Sequence, residues 1–221
     1  MTGKLVLVRH GQTFSNVDKV LDTSLPGASL TEHGHEQARR YGASISETPV
    51  GIVVSSFALR AVQTAEHIAA ATSVEYRQRE GIHETQAGHW EGRVDDVAHK
   101  GFTEIYGRWH SGDLDARVPG GDSGRSVLDR YVPVLDGLRE EFLTDADAPD
   151  VVVVSHGAAI RLVAAVLGGV DGGFAADNHL DNTQTIELLP GAGGTWTCIR
   201  WGLFVPPFEG KGSRIADNPI S

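Results

Sequence analysis

The chain has a single cysteine, Cys198, among its 221 residues. One cysteine excludes an intramolecular disulfide, and it also excludes a zinc site built from several thiolates. Lysine and arginine are scarce as well, at 19 residues against 29 aspartates and glutamates, which gives a formal net charge of −10. Because such a field repels polyanions, we expect neither a nucleic acid nor an anionic membrane as a partner.

Long apolar runs are missing too. No stretch approaches the roughly 20 apolar residues that a membrane span requires. Residues 1–4 lead directly into the first apolar run, which leaves no room for a cleavable secretory signal. Together with the single cysteine, these absences predict a cytoplasmic protein. The length and the lack of an internal linker predict one domain over residues 1–221.

Aliphatic runs alternate with helical patterns along most of the chain. The runs at residues 5–8, 50–54 and 151–154 predict buried strands, and residues 74–77 predict a short additional one. Helices are predicted over residues 31–46, 58–71, 123–143 and 158–167. This order predicts an α/β fold, a three-layer sandwich with a mostly parallel central sheet and helices on both faces. Residues 182–189 and 195–204 flank a glycine-rich turn and predict an antiparallel hairpin at the sheet edge.

Residues 93–124 fit this alternation poorly. We interpret them as an excursion from the sheet that would act as a lid, and the tail from about residue 206 as loosely held. Five side chains of the excursion would either recognise a polar leaving group or merely pack, and the pattern favours neither reading: Tyr106, Arg108, Trp109, His110 and Arg117.

The first aliphatic run stops at Arg9, His10 and Gly11. In open α/β sheets, ligands bind at the carboxyl ends of the strands, where these residues are expected. An imidazole is a nucleophile that is partly unprotonated near neutral pH, and an adjacent guanidinium matches phosphate oxygens. Gly11 lacks a Cβ and would let a bulky anion come close. The three residues alone fit either a nucleophile that meets a phosphoryl group or a strand end without function.

Four segments carry polar residues in the same order as a known family. They are residues 7–13 (LVRHGQT), 56–65 (SFALRAVQTA), 84–92 (ETQAGHWEG) and 154–157 (VSHG). Together they resemble the motifs of the histidine phosphatase superfamily, also called the phosphoglycerate mutase-like family, over roughly residues 4–170. The resemblance implies a phosphoglycerate mutase-like fold.

The resemblance also implies a role for each of five residues. His10 would attack phosphorus to form a phosphohistidine, with its other ring nitrogen held by a main-chain carbonyl. Arg9, Arg60 and His156 would surround the phosphoryl oxygens, and Glu84 would protonate the leaving alkoxide and then activate water. Further substrate contacts are expected from Asn16, Gly11, Gln12, Thr13 and Gly157. We expect no metal and no cofactor, because the arginines supply the positive charge.

Three functions remain open at this point. The preferred one is a metal-independent phosphomonoesterase of the histidine acid phosphatase type, acting on a small sugar phosphate or phosphoglycerate derivative. A cofactor-dependent phosphoglycerate mutase is the first alternative, although residues 17–27 lack the aromatic and glycine-rich recognition stretch of such mutases. The other alternative is a non-catalytic phospho-ligand binder on the same fold.

Several residues near these motifs have no assigned role. Glu80, Glu91, His33 and His35 are interpreted as solvated surface groups, and Trp90 as a packing residue. His83 and His89 flank the acid motif, and Asp122 stands where the family segment Pro-Gly-Gly-Glu-Ser has glutamate, so their roles stay open. Trp196 and Trp201 in the predicted hairpin leave a homodimer open.

Overall fold

The computed structural model describes residues 3–208 of the chain. Six strands form one sheet: β1 (Leu5–Arg9), β2 (Val50–Ser55), β3 (Tyr76–Gln78), β4 (Asp150–Ser155), β5 (Thr185–Pro190) and β6 (Trp196–Trp201). Their order is β3-β2-β4-β1-β5-β6. The first four are parallel, and β5 and β6 run antiparallel at one edge. The mostly parallel sheet and the edge hairpin are therefore confirmed.

Seven helices connect the strands within the described residues: α1 (Phe14–Val17), α2 (Glu32–Ser44), α3 (Leu59–Thr72), α4 (Asp96–His110), α5 (Gly124–Phe142), α6 (Gly157–Gly168) and α7 (Gly172–Asp177). The predictions for α2, α3, α5 and α6 agree with these bounds to within a few residues. The hydroxyl of Thr31 caps α2 and that of Ser123 caps α5, as serine and threonine commonly do.

Alternate residues of β1 enter two separate cores, which explains the three layers. Val6 and Val8 pack with Ile68 and other side chains of α3 on one face. Leu5 and Leu7 join the larger core on the other face, with residues of α5 and α6. Because successive side chains of a strand point to opposite faces, a run that is apolar throughout fits a sheet covered on both sides.

Helix α4 is the main difference from the sequence prediction. Its buried side chains Ala98, Phe102, Tyr106 and Trp109 recur at helical spacing and belong to the large core. Glycines within α4 lower its intrinsic helix propensity, and tertiary packing of one face compensates for that loss. Residues 93–124 thus contain a packed helix, and movement of this segment as a lid stays a prediction.

The strand register brings three polar strand ends together. Arg9 pairs with Ser155 across β1 and β4, and Ser55 pairs with Val154 across β2 and β4. Since the three strands are parallel neighbours, the residues that follow them, His10, Ser56 and His156, meet at one edge of the sheet.

Trp196 and Trp201 are both buried in the large core of this chain, at 5% and 0% exposure. A register shift between β5 and β6 places them on the same side of the sheet. Neither indole is therefore available to a partner, and the homodimer stays a prediction without their support. Most of the predicted loose tail lies outside the described residues. No helix in the described part of the chain is long and apolar enough to cross a membrane.

Candidate active site

His10 lies at the carboxyl end of β1 and is 4% exposed. Its Nδ1 is 2.8 Å from the carbonyl oxygen of Gly11, the kind of main-chain acceptor that was predicted. Because a carbonyl only accepts hydrogen bonds, Nδ1 carries the proton and Nε2 keeps its lone pair. Burial, with Arg60 and Arg9 adding to it, holds the pKa of His10 well below its usual value of 6.5. The ring is therefore neutral and nucleophilic at neutral pH.

His156 faces His10 from the end of β4, with the two ring centroids 5.3 Å apart. Its Nδ1 accepts a hydrogen bond of 3.2 Å from Arg60 Nε, and its Nε2 lies 2.7 Å from Ser56 Oγ. Since Nδ1 accepts, the neutral ring donates from Nε2 to the serine hydroxyl. Burial, followed by the charge of Arg60, lowers the pKa of His156 well below 6.5.

Two buried arginines supply the positive charge. Arg9 donates from Nη1 to the carbonyl oxygen of Leu180 at 2.5 Å, and burial lowers its pKa to about 10, so it stays charged at neutral pH. Arg60 is 3% exposed, and its Nη1 lies 3.6 Å from the carboxylate of Asp22 without a hydrogen-bond partner among residues 3–208. An anion at this position would give that nitrogen an acceptor. Asp22 was not predicted from the sequence.

Glu84 is buried at 2% exposure and is held by main-chain N–H groups. Its Oε1 accepts from the amides of Thr85 at 2.8 Å and Ala159 at 2.9 Å, and its Oε2 accepts from the amide of Ala158 at 3.2 Å. Two of these amides belong to the first turn of α6, whose N-terminus attracts negative charge. The carboxyl group is thus fixed in place by donors from its own loop and from α6.

Arg130 and Asp122 clamp the loop that carries Glu84. Arg130 Nη1 donates to the carbonyl oxygens of Gly81 at 2.6 Å and His83 at 2.7 Å, and Nη2 donates to that of Glu84 at 2.9 Å. Asp122 Oδ2 lies 3.3 Å from Arg130 Nη2 and accepts from the amide two residues after Glu84 at 3.0 Å. Asp122, whose role the sequence left open, therefore uses its carboxylate to hold the loop that carries Glu84.

Asn16 lies beside the nucleophile, joined to a residue that the sequence did not indicate. Its Oδ1 accepts from the amide of Thr13 at 3.0 Å and from Asn182 Nδ2 at 3.3 Å. Asn182 also donates to the carbonyl oxygen of His10 at 3.0 Å. Thr13 uses its hydroxyl to cap α1. The side-chain amide of Asn16 can still turn N–H groups toward a ligand, and its substrate contact stays a prediction.

The other predicted substrate contacts are engaged within the protein. Gly11 donates its N–H to Thr64 Oγ1 at 3.0 Å, and a Cβ at Gly11 would lie 2.6 Å from the carbonyl oxygen of Gly34. The absence of a Cβ at Gly11 thus lets α2 approach the loop that follows β1. Gln12 accepts from the Thr31 hydroxyl at 2.9 Å through its side chain. Gly157 is the buried first residue of α6. Contact of these residues with substrate stays a prediction.

Ser56 and Thr64 lie in the motif of residues 56–65, but the sequence predicted no role for them. Ser56 contacts His156, and Thr64 accepts from the amide of Gly11 while donating to the carbonyl oxygen of Arg60 at 2.7 Å. Their presence in the motif around Arg60 was the signal that could have found them.

The interpretation of Glu91 as a solvated charge is wrong. Its carboxylate accepts from the amides of Thr23 at 2.8 Å and Ser24 at 2.9 Å, and it accepts a short bond from the Thr23 hydroxyl. It thereby fixes the loop that carries Asp22. His89 is exposed, whereas His83 is partly buried, and burial lowers its pKa. Trp90 packs against the large core, as predicted.

Comparison with known proteins agrees with this geometry. The model of the histidine phosphatase superfamily, branch 1, matches residues 5–203. Phosphoserine phosphatase 1 of Hydrogenobacter thermophilus is 30% identical over 196 residues, 84% of this chain and 90% of its own length. A 2,3-bisphosphoglycerate-dependent phosphoglycerate mutase of a Chelativorans species is 32% identical over 177 residues, 78% of this chain and 84% of its own.

A solved structure gives the same picture. The mycobacterial glucosyl-3-phosphoglycerate phosphatase complexed with VO3 superposes with a TM-score of 0.78 at 25% identity, covering 90% of this chain and 99% of that one. The motifs, the fold and the match over residues 5–203 lead to one conclusion: the chain belongs to branch 1 of the histidine phosphatase superfamily.

Proposed function

We propose that this protein hydrolyses phosphate monoesters through a phosphohistidine formed on His10. The observation that carries the proposal is the state of that ring. The carbonyl of Gly11 holds Nδ1, and burial beside Arg9 and Arg60 keeps Nε2 unprotonated. A neutral imidazole between buried cations is suited to attack an anionic phosphoryl group.

In the first step, Nε2 of His10 forms a bond to phosphorus as the bond from phosphorus to the ester oxygen breaks. Arg9, Arg60 and His156 stabilise the charge on the phosphoryl oxygens, and a protonated Glu84 gives its proton to the departing alkoxide. The products of this step are an alcohol, ionised Glu84 and the phosphohistidine.

In the second step, Glu84 takes a proton from water and the resulting hydroxide attacks phosphorus. The nitrogen–phosphorus bond breaks, the electron pair returns to Nε2, and inorganic phosphate leaves. The three main-chain amides around Glu84 stabilise the carboxylate that starts this step.

The substrate is a small phosphorylated metabolite of the sugar phosphate or phosphoglycerate class. Two similar proteins support this class, a phosphoserine phosphatase and a glucosyl-3-phosphoglycerate phosphatase. We also propose that the enzyme is of the histidine acid phosphatase type and that it acts in the cytoplasm. A phosphoglycerate mutase remains the alternative, because one relative of 32% identity bears that name.

The test is release of inorganic phosphate from p-nitrophenyl phosphate. The wild-type protein should release it, and His10→Ala should reduce the rate at least about 1,000-fold, as expected when a covalent nucleophile is lost. His33→Ala, which removes an exposed imidazole from α2, is the matched control and should retain the wild-type rate. No release by the wild-type chain would contradict the proposal and favour a phospho-ligand binder.

A second measurement separates hydrolysis from isomerisation. Phosphorus NMR of 3-phosphoglycerate should show inorganic phosphate as the main product. Formation of the 2-phosphate faster than phosphate release would make the protein a mutase.

A further inference from the structure

Arg161 is a buried arginine on α6 that the chemistry above does not use. It is 1% exposed, and it donates from Nε to the carbonyl oxygen of Gly157 at 3.3 Å and from Nη1 to those of Ala175 and Ala176, both at 3.1 Å. No aspartate or glutamate within residues 3–208 pairs with it, and its Nη2 has no hydrogen-bond partner there. An unpaired buried charge with a free donor is unfavourable unless an anion joins it.

A second buried nitrogen without a hydrogen-bond partner lies close to Arg161. The guanidinium stacks over the ring of Tyr106 at 4.9 Å, and the ring of His110 lies 4.7 Å from that of Tyr106. His110 Nε2 is buried and has no partner in the described part of the chain. Burial, followed by the charge of Arg161, lowers the pKa of His110 and of His179 to about 3, so both rings are neutral hydrogen-bonding groups.

The pair of Arg161 and His110 adjoins the phosphate site at the first turn of α6. Tyr106, against which Arg161 stacks, donates to the carbonyl oxygen of Ala158 at 3.0 Å, and the amide of Ala158 binds Glu84. Arg161 also contributes to the lowered pKa of Arg9, and Arg9 to that of His179. The pair and the site thus meet at the first turn of α6.

We propose that Arg161 and His110 form a second anion subsite, which binds a carboxylate or phosphate carried by the leaving group. The inference rests on the proposed function and narrows it to monoesters whose alcohol bears an acidic group. Such a group would give Arg161 Nη2 the acceptor that it lacks, and it would also accept from His110 Nε2 in the ring tautomer that carries the proton there. A neutral leaving group would leave both unpaired.

The test compares kcat/KM within two pairs of esters. 3-Phosphoglycerate and glycerol 3-phosphate differ by a carboxylate, and fructose 1,6-bisphosphate and fructose 6-phosphate differ by a phosphate. The wild-type protein should prefer the acidic member of at least one pair by about tenfold or more, as a hydrogen bond to a charged group predicts. The pair that shows the preference identifies the anion. Arg161→Met should bring that ratio close to one.

Arg139 offers a matched control. It also donates to two carbonyl oxygens, those of Thr195 and Gly191, and stacks over an aromatic ring, Trp196, at 4.9 Å, but at the opposite end of the sheet. Arg139→Met should therefore leave the ratio at its wild-type value. If Arg161→Met does not fold, His110→Phe keeps the ring packed against Tyr106 and removes both nitrogens, and it should lower the same ratio at least about threefold.

Each outcome decides one of the two proposals. Hydrolysis of p-nitrophenyl phosphate without preference for either acidic ester overturns the subsite and leaves the hydrolase standing. A preference that survives both Arg161→Met and His110→Phe overturns it as well. Absence of phosphate release from every ester overturns the hydrolase, and the subsite with it.

Discussion

Mild acid should destabilise this fold through four histidines, of which His10 and His156 are buried and His110 and His179 half-buried. His10, His156, His110 and His179 all have a pKa below the ordinary 6.5, two of them well below and the other two at about 3. The native protein therefore binds fewer protons than the unfolded chain once the pH falls below about 6.5. Stability is fully present above that value and is lost as the pH falls toward the native pKa values.

The magnitude follows from proton linkage. Between pH 7 and pH 5.5, an imidazole that stays neutral in the native state and titrates near 6.5 when unfolded lowers the free energy of unfolding by about 1.3 kcal/mol. Four such groups give about 5 kcal/mol, a large part of the 5–15 kcal/mol that holds a typical domain together.

Urea denaturation at the two pH values, followed by tryptophan fluorescence, measures this difference. The double variant His110→Phe with His179→Phe should show about half the wild-type loss, because two of the four groups no longer titrate. A wild-type loss below about 1 kcal/mol would refute the reasoning, since it would mean that the native histidines take up protons as freely as the unfolded ones.

Two further predictions concern Glu84 and the arginine that holds its loop. Glu84→Gln should lower kcat at least about 100-fold for an alkyl phosphate but less for p-nitrophenyl phosphate, whose leaving group hardly needs a proton; equal losses for both esters would exclude Glu84 as the acid. Arg130→Lys should reduce kcat about 10- to 100-fold at nearly constant KM, because a single ammonium cannot span the carbonyls of Gly81, His83 and Glu84. The exposed Arg125→Lys serves as its control, and a change confined to KM would contradict the positioning role.

The sheet was predictable because its strands are aliphatic on both faces and end at polar residues. Val151 to Val154 fits few structures other than a buried strand. Helix α4 was not recognised, because Gly101 and Gly107 lower its propensity and only the folded core reveals its buried face. Its apolar spacing is visible in retrospect at Phe102, Tyr106 and Trp109.

The site was predictable where a motif carried a reactive side chain and was not where contacts run across the fold. His10, Arg60, Glu84 and His156 come together at one sheet edge because the strands are parallel neighbours. By contrast, Asp22 meets Arg60 through a loop, and Asn182 reaches the carbonyl of His10 from 172 residues away. No local pattern encodes such distant pairings.

Helix α6 ties several parts of this site to one rigid body. His156 is its N-cap, its first amides hold Glu84, and Arg161 projects from its second turn. Residues 157–165 are all buried, so the helix cannot shift without repacking the core. A change of substrate range in related proteins is therefore more easily reached from the facing residues, such as His110 on α4. The residues on α6 would then stay fixed during divergence, and the residues that face them would vary.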